Sequence, residues 1–199
     1  MQYFTVLAAL FAGAMASPMA LDSPIAGYRI ETLQWSIQMG PGHFEVLNGT
    51  IQEVMAQARE INPNFEIPAV PEAEEKRSIS PTPPSSARLN KRAHEICGIF
   101  PSASKFRIQE GISYLNRLPA GDRPLLPPGP GACGRVSCSY NSAIWWCNDN
   151  RSVWGPGGWE FIAQGAQKVI DTCARNADWV SGQAFDDRNW NTIVRGDSC

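Results

Sequence analysis

The chain of 199 residues carries 17 Lys and Arg against 19 Asp and Glu, a formal net charge of −2 at neutral pH. This near-neutral balance argues against tight nucleic-acid binding, which needs many cations to neutralise phosphates, and against a polybasic membrane patch. The length suits one domain or two small ones.

Residues 1–16 read as a signal peptide. Met1 to Ala12 is almost wholly apolar, and Ala14-Met15-Ala16 supplies the small-x-small pattern that a signal peptidase needs. No Lys or Arg precedes the apolar run, so only the α-amino group carries positive charge there. The run is too short to span a bilayer, and no other stretch is long and apolar enough, so no stable membrane span is expected.

Residues 17–62 read as a small ββα pro-segment. Tyr28 to Gln38 alternates in part and reads as a strand, Met39 to His43 as a turn, and Phe44 to Leu47 as a second strand. Thr50-Ile51-Gln52-Glu53 is a capping box that opens a helix with Ile51, Met55, Ala58 and Ile61 on one face, and Asn62-Pro63 stops it. Residues 63–92, with six prolines, four serines and three clustered glutamates, read as a disordered linker. Two dibasic pairs lie in it, Lys76-Arg77 and Lys91-Arg92, where a kexin-type protease would cut a secreted precursor. The mature domain is expected at residues 93–199, folding without residues 17–92. In the alternative, Ile37, Phe44 and Ile61 cover an apolar patch and the pro-segment acts as a chaperone or mask.

The mature segment reads as strand, helix, strand, strand, helix, strand. His94 to Ile99 is a strand, and Ser102 or Ser104 caps a helix to about Asn116. Leu118 to Gly131 is a proline-rich loop. Arg135 to Tyr140 and Ala143 to Cys147 form a hairpin around Asn141-Ser142, followed by a loop over residues 148–158. Trp159 to Cys173 is a helix and Trp190 to Arg195 the last strand. Both helices carry Ile-x-x-Gly, at Gly111 and Gly165, which suggests a close approach to the sheet or to each other. The expected fold class is α+β: a disulfide-stabilised βαββαβ two-layer sandwich, with a four-stranded antiparallel sheet and two helices on one face.

All six cysteines lie in this segment: Cys97, Cys133, Cys138, Cys147, Cys173 and Cys199. An even count in an exported segment reads as three disulfides and not a metal site, for there is no C-x-x-C and only His94 nearby. The sequence does not choose among the pairings. A turn centred on Ser142-Ala143 would favour Cys138 with Cys147.

Two blocks resemble small secreted cysteine-rich proteins of filamentous fungi, many of them effector candidates. One runs from Gly129 to Asn150 and contains Cys133-Gly134-Arg135-Val136-Ser137-Cys138-Ser139-Tyr140-Asn141-Ser142 and Trp145-Trp146-Cys147-Asn148-Asp149-Asn150. The other is Phe185-Asp186-Asp187-Arg188-Asn189-Trp190-Asn191-Thr192-Ile193-Val194-Arg195. Leu47 to Glu53 and Ile61-Asn62-Pro63 resemble the pro-segments of the same group. The arrangement is similar to the killer-toxin-like α/β sandwich of smut-fungus viral toxins and related effectors. The resemblance implies a setting outside the producing cell and no shared activity.

Residues that could carry chemistry are few. His94 is the only histidine after residue 92, so nucleophile–histidine arrangements are poorly served. Asp149 with Asp186 or Asp187 could form a carboxylate pair if they converge in one cleft. Six of the seven tryptophans fall after residue 92. On a strand, Trp145 and Trp146 point to opposite faces, so one could be exposed for a sugar ring or a protein partner. Trp154, Asn148 and Asp149 complete the candidate binding surface. Sequons occur at Asn48 and Asn150. The leading expectation is a secreted effector or toxin-like protein that binds a host or competitor protein or glycan, without catalysis or cofactor. Rival readings are a carbohydrate- or wall-binding module and a carboxylate-dependent hydrolase.

Overall fold

The computed structural model describes residues 23–66, 94–118 and 123–199. The signal-peptide reading, most of the linker and both dibasic pairs, Lys76-Arg77 and Lys91-Arg92, lie outside the described residues. The elements run in chain order as β1 (Arg29–Glu31), β2 (Gln34–Gly40), β3 (His43–Asn48), α1 (Ile51–Ile61), β4 (Glu95–Cys97), β5 (Ala103–Ser104), α2 (Lys105–Asn116), β6 (Ala132–Ser139), β7 (Ser142–Asn148), α3 (Trp159–Cys173), β8 (Trp179–Val180), β9 (Gly182–Asp186) and β10 (Trp190–Gly196). The class is α+β. A six-stranded sheet has the order β1-β6-β7-β10-β9-β4, and β2-β3 and β5-β8 form two-stranded sheets.

The four-stranded βαββαβ layout is corrected. Residues 94–199 supply five antiparallel strands to the large sheet, because β9 lies between α3 and β10. β9 reads Gly182-Gln183-Ala184-Phe185-Asp186 and has no β-branched residue to announce a strand. Its glycine has a packing reason. A Cβ on Gly182 would meet the Ile96 carbonyl at 2.7 Å and Cys173 Sγ at 3.1 Å, where the Cys97–Cys173 bridge crosses.

The helices follow their local signals. In α1 the Glu53 amide donates to Thr50 Oγ1 at 3.4 Å, and the Thr50 amide donates to Glu53 Oε2 at 2.7 Å, closing the capping box. The glycines of α2 and α3 let both helices approach the sheet. A Cβ on Gly111 would meet Ser137 Oγ of β6 at 2.6 Å and Ile144 Cδ1 of β7 at 3.0 Å, and one on Gly165 would clash with Thr192 Oγ1 of β10. α2 and α3 also pack on each other.

Both faces of the β6–β7–β10 region are covered. The helix side holds the main core, including Ile108, Ile112, Ile144, Trp146, Ile162, Val169 and Val194. The opposite side holds a smaller cluster of Cys133, Cys138, Ala143, Trp145, Cys147 and Ile193, closed by Ile25, Tyr28, Ile30 and Phe100. Trp145 and Trp146 do point to opposite faces, yet both are 0% exposed. Neither is a surface residue, which corrects the expectation that one would be free to bind.

Three disulfides form: Cys97–Cys173, Cys133–Cys147 and Cys138–Cys199. The favoured Cys138–Cys147 pair is wrong for two reasons. The hairpin turns on Tyr140 and Asn141, both at positive φ (47° and 57°), so Cys138 faces Ala143. A bulge between Arg135 and Ser137 then shifts the register by one residue and sets Cys133 opposite Cys147, with Cα atoms 4.1 Å apart.

Residues 23–66 do not stand apart. β1 joins the large sheet as a parallel edge strand, pairing Arg29 with Ala132, Ile30 with Cys133 and Glu31 with Gly134. α1 packs against β6 and α2. The strand expected over Tyr28–Gln38 is broken at Thr32-Leu33, so that β1 serves the large sheet and β2 the hairpin with β3. Ile37 is buried, but Phe44 and Ile61 are more than half exposed, so the covering residues are mainly others, with Leu33, Trp35, Leu47, Ile51 and Val54 all buried.

Candidate functional site

The two blocks singled out in the sequence meet at one end of the large sheet. β7 and β10 are antiparallel neighbours, with Asn148 opposite Trp190, so the loops after Asn148 and before Trp190 emerge side by side. Asparagines tie them together. Asn148 is fully buried, and its Nδ2 donates to the carbonyls of Pro127 at 2.9 Å and Ser152 at 3.0 Å. Its Oδ1 accepts from the Asn150 amide at 2.9 Å. Asn150 Nδ2 donates to the carbonyls of Arg188 at 3.0 Å and Asn189 at 3.1 Å. Asn191 Nδ2 donates to Asp149 Oδ2 at 2.8 Å, and Gln183 Nε2 donates to Asn191 Oδ1 at 2.9 Å. Both Asn191 and Gln183 are buried, so this chain positions Asp149 from within the sheet.

A cleft of about 270 Å³ opens there, lined by His94, Asp149, Phe185, Asp186, Asp187, Asn189 and Trp190. A second hollow of about 200 Å³ shares Phe185, Asp186 and Trp190 with it and adds Phe161, Gln164, Gly165, Lys168, Ala184, Arg188 and Thr192. The His94 ring stacks on Phe185 at 4.7 Å. Asp186 lines both hollows and Arg188 lines the second. Arg188 Nε donates to Asp186 Oδ1 at 2.7 Å and its Nη2 to Oδ2 at 3.0 Å, a bidentate pair. The guanidinium lies 5.5 to 5.9 Å from the ring centres of Phe161, Trp190 and Trp154. Its hydrogen bonds hold the Asp186 carboxyl down to about 2, and Asp186 in turn raises the Arg188 pKa. On the far side, burial first and the neighbouring Asp149 carboxylate second push the Tyr28 hydroxyl up to about 12.

The three carboxylates therefore converge, as the hydrolase reading requires. Arg188 holds Asp186 ionised, which removes Asp186 from the role of proton donor at neutral pH. Among the described residues no group of three or more His, Cys, Asp or Glu could hold a metal ion. Two buried polar atoms at the second hollow, Trp190 Nε1 and Thr192 Oγ1, have no hydrogen-bond partner.

Of the surface expected from the sequence, Asp149 and the half-buried Trp154 border this end, while Trp145, Trp146 and Asn148 are interior. Asn48 is exposed at the end of β3, and Asn150 is engaged in the loop-to-loop bonds above. Sequence reasoning missed Arg188, Asn191 and Tyr28. The Asp-x-Arg spacing of residues 186–188 signals a turn-closing ion pair, but nothing local places it beside Trp154. The exposed Trp179 lies elsewhere, on β8. A further hollow of about 450 Å³ is lined by residues 36–41, by Asn62, Asn64, Phe65 and Glu66, and by Leu118. It does not involve the converging loops.

Comparison with protein-family models finds no match, and searches of curated proteins and of solved structures likewise find none.

Proposed function

We propose that the chain is a secreted effector or toxin-like protein, similar to the killer-toxin-like proteins of fungi, that acts outside the producing cell by binding a host or competitor target without catalysis. The observation that carries this reading is the meeting of the two resembling blocks at one acidic and aromatic cleft. Three disulfides are compatible with an oxidising, extracellular setting. Asp149, Asp186 and Asp187 make the rim negative, while Phe185 and Trp190 give it apolar walls. Such a cleft suits a target group that is basic, or that is rich in hydroxyls.

The hydrolase reading keeps one specific point in its favour, the shared cleft of Asp149, Asp186 and Asp187. The ion pair that pins Asp186 weighs against it. The carbohydrate-module reading loses its main support with the burial of Trp145 and Trp146. Applying the oxidised protein and a reduced control to leaf tissue and to competing microbial cultures separates the readings, with a parallel assay for release of sugar or peptide products. The expected result is a response to the oxidised protein alone, with no product released. Product release that depends on Asp149 would contradict the proposal.

A further inference from the structure

We propose that residues 23–66 stay bound to residues 94–199 as a non-covalent second chain after the peptide between them is cut, held by a β6 edge shaped to receive them. The cut rests on the two dibasic pairs of the sequence, and the hold rests on the geometry below. Neither depends on which target the protein binds.

The segment is seated by backbone, ring and amide contacts together. β1 adds a parallel strand to β6, and the Arg29 amide donates to the Gly131 carbonyl at 2.7 Å. Arg29 Nη2 reaches the Pro128 carbonyl at 2.7 Å. Trp35 is fully buried and stacks on Trp159 of α3, with ring centres 3.7 Å apart and planes 6° from parallel. Gln52 of α1 spans the far end of the strand, where its Nε2 donates to Ser137 Oγ at 2.7 Å and its Oε1 accepts from the Cys138 amide at 2.9 Å. An amide side chain that pairs a backbone N–H replaces the bond that a further strand would make.

The receiving surface is complementary in sequence as well as in shape. Gly134 lies inside strand β6, where glycine is unfavourable, and a Cβ there would stand 2.6 Å from Leu33 Cδ2. Gly131, at φ +88°, leaves room for the Tyr28 ring, which a Cβ would meet at 3.1 Å. Both glycines belong to the domain and both spaces are filled by the segment. Without the segment, β6 would be an open sheet edge beside an uncovered Trp159, an arrangement that invites aggregation. The segment has no cysteine, and all three disulfides lie within residues 97–199, so nothing covalent would retain it once the chain is cut.

In the test, the full secreted chain is purified without reductant and digested with a kexin-type protease until no intact chain remains. It is then passed at micromolar concentration over a size-exclusion column, with mass spectrometry on each fraction. The two pieces are expected in one peak at equal amounts, and they should separate in guanidinium without reductant. A second chain carries Trp35→Ala and Gln52→Ala, which leave residues 94–199 unchanged. Its cut segment should be held at least about tenfold more weakly, since the stacked indole and the two amide hydrogen bonds are gone, while the domain keeps its three disulfides. Elution of the wild-type segment as a separate peak overturns the proposal, as does retention of the doubly substituted segment at wild-type strength.

Discussion

The side chains of Asn148, Asn150 and Asn191 all bond inward, and this has a consequence for glycosylation. Asn150 Nδ2 already serves Asn148 Oδ1, Arg188 O and Asn189 O. A glycan would leave that nitrogen a single hydrogen and would place a bulky group where two loops meet. Peptide mapping of the protein expressed through a glycosylating secretory host should find Asn150 unmodified and any glycan at the exposed Asn48. A glycan on Asn150 would contradict the loop geometry. Asp186 makes a second residue-level prediction. Its folded pKa of about 2 lies below the ordinary 3.8, through its hydrogen bonds with Arg188. A depressed carboxyl stabilises the fold fully above its unfolded pKa and loses that contribution as pH falls through the folded value. Stability should therefore drop between about pH 4 and pH 2 in denaturant titrations. Arg188→Ala should flatten this part of the profile. The Arg188 side chain is 47% exposed, so solvent screening keeps the effect modest.

Among the elements, the bulge in β6 decides the disulfide pattern. Non-reducing peptide mapping should return Cys133 with Cys147, Cys138 with Cys199 and Cys97 with Cys173, and a Cys138–Cys147 fragment would contradict the register. The two longer helices and the capping box were legible because apolar period and cap residues are local signals, and α3 spans the residues that periodicity indicates. The hairpin was legible as a hairpin, but its register was not. Nothing at Val136 announces an extra residue, and positive φ at Tyr140 is not a sequence signal. β1 lay inside the strand expected over Tyr28–Gln38, but its break from β2 and its partner β6 were illegible, and β9 was missed because it has no β-branched residue. The site was half legible. Asp149, Asp186 and Asp187 could be named as a carboxylate set, but alternation alone could not tell that both faces around Trp145 and Trp146 are covered.

For the whole molecule, the main revision concerns residues 23–66. Lacking cysteine and preceding a proline-rich stretch, they read as dispensable, whereas the fold uses them as a sheet edge and as part of its core. Loss of the Cys97–Cys173 bridge, with a separation of 76 residues, should cost about 4 kcal/mol in chain entropy. Deleting residues 17–92 uncovers several large apolar side chains at about 1.5–3 kcal/mol each. The deletion should therefore lower the thermal midpoint at least as far as Cys173→Ser, the reverse of the order expected from the sequence. A deletion variant that melts with the full chain would show that the segment is only loosely placed.

The same scale holds the functional question, which turns on whether the acidic cleft is the working surface. Asp187 is suited to answer it. It lines the cleft, its side chain is 64% exposed, and its ion-pair contact to Arg188 is 4.0 Å long. Asp187→Lys reverses the charge at the rim with little reason to disturb the fold. The most direct measurement is the dose of oxidised Asp187→Lys protein needed for the tissue or culture response, beside wild type of equal thermal midpoint. The predicted result is a loss of potency of about tenfold or more, as expected when a charge meets its like across a binding surface. Equal potency for the two proteins would contradict the assignment of this cleft.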